Sequence, residues 1–307
     1  MITVSCSSTY YLFVIHSCSN PVWLPKIALL SQTGFGRFIK IDNLCIMYRQ
    51  TLSDATYAGA HELERFFNGK FTVSNKEGVN NLVTQADFES EKAIIKIIKS
   101  AFPDDGIVSE ESPEVKTDSG YKWIIDPIDG TINFANGIPI CCVSIGIEHN
   151  DTMVMGAVYN PFIKEFFFAE RGKGAFLNDQ PIHVSKKTEV IHSCLVTGFP
   201  YTYIRQANGP LQVFERLVTR GIPVRRLGSA AIDLCWVAAG RFDGFYEHQL
   251  HAWDSAAGYL IVEEAGGKVT NMKGEKYSPY EYGIVATNGH IHNELLQYVN
   301  GTVEVAL

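Results

Sequence analysis

The sequence lacks the features that mark several special classes of protein. No apolar run approaches the 18 or so residues that a membrane-spanning helix needs. There is no run of basic residues, and 26 Lys and Arg against 33 Asp and Glu give a net charge of −7, which argues against sequence-independent binding to a nucleic acid. A hydrophobic content of 46% with 19% charged residues argues against a disordered or fibrous chain. These properties indicate a globular protein of one or two domains.

Cysteine pairs are also missing. The seven cysteines form no CxxC pair, and their number is odd. We therefore expect free thiols in a reducing compartment, the cytoplasm, with no metal-binding or catalytic role.

Charge is scarce in residues 1–46. This segment contains four charged side chains, Lys26, Arg37, Lys40 and Asp42, and it shows no helical or alternating periodicity over more than a few residues. The apolar run 10–15 has no basic residue before it, so it does not have the form of a secretory signal. We predict that 1–46 is an N-terminal extension outside the fold, of the kind that a start codon upstream of the natural one would add. The predicted domain begins at Met47 and covers 47–307.

Helices come first in this predicted domain. Apolar residues recur at helical spacing from Leu52 to Phe66, and Gly69 follows as a C-terminal cap. Thr84 and Asp87 have the form of a capping box, which opens a second helix that ends before Pro103.

A sheet follows the two helices. Short β-rich runs fill residues 121–185, with turn signals at 150–151 and 178–179, which predicts an antiparallel meander. Strands and helices then alternate in a second half that begins near residue 191. This order favours stacked layers of helix and sheet over a single doubly wound parallel sheet.

The segment WIIDPIDGTINF, residues 123–134, carries the densest chemical signal. An apolar strand leads directly into Asp126 and Asp129, which are held on a turn by Pro127 and Gly130. Carboxylates, together with a backbone carbonyl such as that of Ile128, are the ligands that Mg²⁺ prefers. The amide N–H groups after the glycine suit a phosphate.

Further acidic residues stand at the ends of other elements. Glu110 and Glu111 follow a short apolar strand, and Asp254 opens a helix. Each feature by itself is typical of an ordinary turn, a solvated loop or a helix N-terminus. Together they bring carboxylates to the ends of three separate elements, as a two-metal site for phosphoryl transfer requires.

Six segments in this order resemble the inositol monophosphatase family of Mg²⁺-dependent, lithium-sensitive phosphatases. They are EES (110–112), DPIDGTINF (126–134), GAVYNP (156–161), RGKGAFLN (171–178), GSAAIDLCWVAAGRFDGFYE (228–247) and WDSAAGYLIVEEAGG (253–267). The resemblance implies a mixed α/β fold, an αβαβα five-layer sandwich, and a cytoplasmic homodimer that serves inositol metabolism.

The resemblance also implies the metal ligands. Glu110, Asp126 and the carbonyl of Ile128 would hold the first ion, and Asp126, Asp129 and Asp254 the second. Two or three Mg²⁺ ions are expected per site, with Mn²⁺ as an alternative. The nearby His248 and His251 are not expected to be ligands, because carboxylate sites for Mg²⁺ rarely recruit imidazole.

The catalytic residues implied by the resemblance are Thr131, Glu110 and Asp87. Thr131 and Glu110 would orient and deprotonate the attacking water, and Asp87 would support the cluster of metal ions and water. Lys76 matches a basic residue near that site. The implied substrate-binding residues are Ile128, Asp129, Gly130, Thr131, Gly228, Ser229, Ala230, Glu247 and Asp254.

The expected substrate is a small phosphate monoester, myo-inositol 1-phosphate. The TIN of residues 131–133 favours this over the branch of the family that acts on 3′-phosphoadenosine compounds, and the acidic Glu247 favours a neutral polyol over a second phosphate. Fructose 1,6-bisphosphate or another sugar or nucleotide phosphate is the alternative. A non-catalytic regulatory or binding protein on the same fold is a further alternative, although all the carboxylates are present. Neither a nucleic acid nor a membrane is an expected partner.

Overall fold

The computed structural model describes residues 2–7, 10–15, 38–67, 69, 73–75, 82–200 and 208–303. Lys76 lies outside these described residues. The helices are α1 Phe38–Phe66, α2 Gln85–Ala101, α3 Thr131–Ala135, α4 Pro210–Val218, α5 Ala230–Ala238, α6 Ala252–Glu264 and α7 His292–Asn300.

A short 3-10 helix covers Val190–His192, and the remaining elements are strands. They are β1 Ile2–Ser7, β2 Tyr10–Ile15, β3 Val73–Asn75, β4 Leu82–Thr84, β5 Gly106–Ser109, β6 Tyr121–Asp129, β7 Cys142–His149, β8 Thr152–Asn160, β9 Glu165–Glu170, β10 Gly174–Leu177, β11 Gln180–Pro181, β12 Leu195–Thr197, β13 Val224–Arg225, β14 Gly244–His248, β15 Lys268–Thr270 and β16 Gly283–Thr287.

The chain separates into two compact units, residues 1–50 and 51–307. In the first unit β1 and β2 form an antiparallel hairpin, and α1 already begins at Phe38. The sequence did not predict this regular structure. Leu44, Ile46 and Met47 are 41–59% exposed, so these three apolar residues of α1 do not line a buried face. The domain bounds 1–46 and 47–307 stay a prediction.

The second unit contains two large sheets. The first has the strand order β11-β10-β9-β8-β7-β6-β5 and is antiparallel except for the parallel pair β5 and β6. This confirms the predicted meander. The second sheet has the order β13-β12-β14-β16-β15, in which β12 is parallel to both β13 and β14.

Helices cover these two sheets in layers. Within the second unit α1 packs on α2 and β9, through Gly59 against Ile94 and the Tyr57 ring against Phe166, and α2 contacts β6. Helices α5 and α6 lie between the sheets, where they contact strands of both. Helices α4 and α7 cover the outer face of the second sheet, beside β13 and β16. The predicted αβαβα sandwich is therefore confirmed.

Local signals in the sequence correspond to the observed caps and turns. Thr84 caps α2 in a full capping box with Asp87. The residues of both predicted turns, 150–151 and 178–179, adopt positive φ. Free thiols are present, as expected, at Cys45, Cys141, Cys142, Cys194 and Cys235. No helix in the described ranges is both long and apolar enough to span a bilayer.

Candidate active site

A β-bulge places two acidic side chains on one side of the first sheet. Asp126 on β6 pairs with Ser144 on β7, and Asp129 pairs with Cys142, so one extra residue stands on β6 between the two pairs. In an uninterrupted strand, the side chains of residues three apart point to opposite faces of the sheet. The extra residue of the bulge shifts the alternation by one, so the side chains of Asp126 and Asp129 lie on the same side. Pro127 lies in the bulge, where a missing backbone N–H breaks no ladder hydrogen bond.

Asp126 lies at the centre of a group of carboxylates. It is 1% exposed, and its Oδ1 accepts a hydrogen bond from the backbone N–H of Ile128 at 3.0 Å. Burial raises the pKa of Asp126 well above its ordinary value. Nearby negative charges raise this pKa further, and they belong to Glu110, Asp129, Asp254 and Asp87. The predicted acidic residues therefore lie close enough together to act on one another.

Glu110 reaches this group from the end of β5. Ser109 pairs with Ile125 in parallel register, and the Glu110 N–H donates to the Ile125 carbonyl at 3.3 Å. Glu91 of α2 holds both sides of this turn, since its Oε2 accepts from the Ser109 hydroxyl and from the Glu111 N–H, the latter at 3.1 Å. The sequence reasoning missed Glu91, which lies within the predicted second helix.

Asp129 joins the end of β6 to the start of α5. Its Oδ2 accepts hydrogen bonds from the Ser229 hydroxyl at 2.7 Å and from the Ala231 N–H at 2.6 Å. Burial raises the pKa of Asp129 to about 6, against the lowering effect of these bonds and with a further rise from the charge of Glu110. The segment that the resemblance assigns to the substrate is thus attached directly to a predicted metal ligand.

The Thr131 hydroxyl lies between two oxygen acceptors. Its Oγ1 is 3.3 Å from Oδ1 of Asp87 and 3.1 Å from the carbonyl oxygen of Ile128. Asp87 is fully buried, and its Oδ2 accepts from both the N–H and the hydroxyl of Thr84 at 2.7 Å. Because a hydroxyl carries one proton, Thr131 donates to one of the two acceptors at a time.

Gly130 directly precedes α3 as its N-cap residue and has a φ of 93°, which favours glycine. A Cβ there would lie 2.9 Å from the Ile140 carbonyl oxygen and 3.2 Å from that of Gly228. The Asn133 amide ties the same segments together, because it donates to the carbonyls of Ile140 at 2.7 Å and Leu227 at 2.8 Å. Asn133 is a further residue that the sequence reasoning missed, although it lies within the DPIDGTINF segment.

Asp254 and Glu247 complete the group. Asp254 lies in the first turn of α6, where its Oδ2 accepts from the His251 N–H at 2.7 Å. Burial and the charges of Asp254 and Asp129 raise the pKa of Glu247 well above its ordinary value, and Arg226 opposes this rise.

A buried acid on α5 was also missed. Asp233 is 1% exposed, and its Oδ1 has no hydrogen-bond partner in the described part of the chain. Burial and the charges of Glu247 and Asp129 raise its pKa. The signal was a single acid in the otherwise apolar helix sequence AAIDLCWVA.

The chemistry of these donors fits a hard cation. Every predicted ligand presents an oxygen atom, from a carboxylate or from the carbonyl of Ile128. Clustered negative charge that raises the pKa of Asp126 is what a bound divalent cation would offset. Within the described ranges, no three His, Cys, Asp or Glu side chains already surround one position suited to an ion. The individual roles of the site residues stay predictions.

Comparison with known proteins places the site in context. A model of the inositol monophosphatase family matches residues 48–304. An inositol-1-monophosphatase of Synechocystis sp. is 41% identical over 251 residues, which are 81% of this chain and 88% of that protein. The Nus factor SuhB of Haemophilus influenzae is 40% identical over 227 residues, 74% of this chain and 85% of that protein. The crystal structure of the extragenic suppressor protein suhB from Bartonella henselae has a TM-score of 0.79 at 37% identity, and the match covers 83% of this chain and 99% of that one.

Proposed function

The chain belongs to the inositol monophosphatase family, and from that premise we propose that it is a phosphatase that hydrolyses myo-inositol 1-phosphate to myo-inositol and inorganic phosphate. The observation that carries the proposal is the group of carboxylates around Asp126, contributed by the ends of separate elements. Like charges that are buried close together destabilise the fold unless a bound ligand neutralises them. Divalent cations and the phosphate that they bind are the ligands that such a group suits.

Glu110, Asp126, Asp129, Asp254 and the carbonyl of Ile128 would hold two or three Mg²⁺ ions, or Mn²⁺ in their place. When bound, such ions would lower the pKa of a water molecule, so that it can lose a proton and attack phosphorus, and would offset negative charge on the phosphate and on the leaving oxygen.

Thr131 and Asp87 handle the proton of the attacking water in this proposal. The Thr131 hydroxyl donates to Oδ1 of Asp87 and is left with lone pairs that can accept from a water molecule. Asp87 itself is held by two hydrogen bonds from Thr84, so the pair is oriented in advance. The water oxygen forms the new bond to phosphorus, and its proton passes to Thr131 as the Thr131 proton passes to Asp87. The bond from phosphorus to the inositol oxygen breaks, and that oxygen takes a proton from solvent water.

The start of α3 and the wall formed by Gly228, Ser229 and Ala230 bind the two ends of the substrate. No side chain in the described part of the chain caps α3, so the N–H groups that follow Asp129 are available to phosphate oxygens. Glu247 accepts hydrogen bonds from ring hydroxyls. Its negative charge disfavours a second phosphate, which is why inositol 1-phosphate is proposed ahead of fructose 1,6-bisphosphate.

The test is phosphate release by the purified protein, first stripped of metal and then given Mg²⁺, from the two substrates in parallel. We expect no release without Mg²⁺ and, with it, a preference for inositol 1-phosphate. Preference for the bisphosphate would contradict the substrate assignment and leave the chemistry in place. Unchanged activity of an Asp129→Asn variant would contradict the metal assignment.

A regulatory role is the second candidate, because the Haemophilus influenzae relative is named a Nus factor. Failure of the wild-type protein to hydrolyse either substrate with Mg²⁺ or Mn²⁺ would favour it. We also propose, from the family resemblance, a cytoplasmic homodimer that Li⁺ inhibits and that binds neither nucleic acid nor membrane. Sedimentation analysis and Li⁺ titration of the hydrolysis rate test the dimer and the inhibition.

A further inference from the structure

We infer that Gly198 is a positioning residue for substrate recognition: the space left by its missing side chain is where the Glu247 carboxylate lies. The inference rests on the proposed function, in which Glu247 accepts hydrogen bonds from the hydroxyl groups of a polyol phosphate. Gly198 contacts the substrate only through Glu247, so it is not a catalytic residue.

The contact between these two residues is very close. A Cβ at residue 198 would lie 2.1 Å from Oε1 of Glu247 and 2.3 Å from both its Cδ and its Oε2, whereas real Cβ atoms do not come closer than 3.0 Å. All three nearest atoms belong to Glu247, and the φ of Gly198 is outside the left-handed region. An alanine would therefore suit the backbone there, and its nearest conflict would be with the Glu247 side chain.

The two backbones are fixed beside each other. Strands β12 and β14 are parallel, with Thr197 opposite Tyr246, so Gly198 and Glu247 follow side by side at the carboxyl ends of the two strands. The Thr197 hydroxyl also donates to the Tyr246 carbonyl at 2.6 Å. These contacts hold the backbones of β12 and β14 in place. The side chain of Glu247 must therefore move when residue 198 gains a methyl group.

Nothing else in the described ranges holds this carboxylate by a hydrogen bond. Among the described residues, Asp254 and Asp129 repel it and Arg226 attracts it, and the buried Asp233 lies within range of its charge. Its place is therefore set by packing against Gly198, which leaves its oxygens available as acceptors. Loss of a hydrogen bond between a charged acceptor and a substrate hydroxyl typically costs about tenfold in affinity.

The first experiment compares Gly198→Ala with the wild type on myo-inositol 1-phosphate and on 4-nitrophenyl phosphate, which has no ring hydroxyls. The ratio of kcat/KM for the two substrates should fall about tenfold, through a rise in KM for the inositol phosphate. Gly244→Ala is the matched control, because its Cβ would face Leu295 and Leu195 in the core at 3.1–3.2 Å and not the site. An unchanged ratio in Gly198→Ala, or an equal fall in the control, overturns the inference.

A double-mutant cycle tests whether the effect passes through Glu247. Added to Glu247→Ala, which removes the conflicting carboxylate, Gly198→Ala should leave the ratio unchanged. Additive losses overturn the inference. If Gly198→Ala alone does not fold, the double variant should fold. A double variant that does not fold overturns the inference as well.

A crystal structure of Gly198→Ala gives a readout that does not depend on activity. The Glu247 carboxylate should move by about 1 Å or more, because its 2.1 Å approach must open to at least 3.0 Å. A carboxylate that stays in place overturns the inference. A wild-type protein without phosphatase activity would contradict the proposed function alone, since the displacement is measured in either case.

Discussion

Replacement of Asp129 by Asn tests two effects of this buried carboxylate separately. One is its cost to the free energy of unfolding in the absence of a cation, and the other is its proposed role as a metal ligand. Without a cation, the pKa of Asp129 is about 6, raised from its ordinary 3.8 chiefly by burial. The folded protein therefore binds this proton more tightly than the unfolded chain does. Its contribution to stability is fully present below about pH 4 and is lost as the pH rises through 6. The Asn side chain does not titrate, so the stability of the variant should increase relative to that of the wild type as the pH rises.

The size of this gain follows from the pKa of Asp129. One pKa unit corresponds to about 1.4 kcal/mol, so the shift costs the wild type about 2 kcal/mol at pH 5 and about 3 kcal/mol at pH 8. Asn also accepts more weakly than a carboxylate from Ser229 and Ala231, a loss of about 1–3 kcal/mol that does not depend on pH. The change between the two pH values, about 1 kcal/mol in favour of the variant, is independent of that loss.

Urea unfolding in the presence of a chelator measures this change, with the exposed Asp118→Asn as the control variant. When Mg²⁺ replaces the chelator, the wild type should be stabilised by about 2.7 kcal/mol at a concentration 100 times its Kd, and Asp129→Asn by much less. The reasoning is refuted if the difference between variant and wild type is the same at pH 5 and pH 8. Equal stabilisation of both proteins by Mg²⁺ would refute the ligand assignment.

Two further predictions concern residues outside the proposed ligand set. Glu91→Gln weakens the hydrogen bonds that support the turn before Glu110. The affinity of the metal-free protein for Mn²⁺, measured by calorimetry, should therefore fall about tenfold. Glu89→Gln on the same helix should have no effect, and an equal loss of affinity in both variants would contradict the assignment. Burial lowers the pKa of His292 to about 4, so its contribution to stability is present above about pH 6.5 and is lost as the pH falls toward 4. His292→Gln should therefore be less sensitive than the wild type to acid between pH 8 and pH 5, by about 1–2 kcal/mol in urea unfolding, and identical pH profiles would contradict this account.

Local signals account for the parts of the fold that the sequence predicted well. The capping box at Thr84 and the turns at 150–151 and 178–179 depend on neighbouring residues only, and they are present as expected. The meander and the alternating second half follow from periodicity within single elements. The order of these strands and helices along the chain could therefore be predicted from the sequence. The family resemblance supplied the arrangement of the layers, which periodicity alone did not determine.

Contacts between distant segments account for what was missed. The bulge that turns Asp126 and Asp129 to one side depends on the register of β6 against β7, which no local pattern specifies. Glu91 has the spacing of an ordinary helical residue, and its partners Ser109 and Glu111 follow 18 and 20 residues later. Gly198 carries no chemical signal at all, because its importance lies in the atoms of Glu247 that occupy its side-chain space.

The most direct test of the account is the position of bound metal. Crystals soaked in Mn²⁺ should show anomalous density about 2.1 Å from carboxylate oxygens of Asp126 and Asp129. The density should be absent at these positions in Asp129→Asn or strongly reduced. Mn²⁺ bound elsewhere, with no density beside Asp126 at saturating concentration, would contradict the central claim that this group of carboxylates is a metal site.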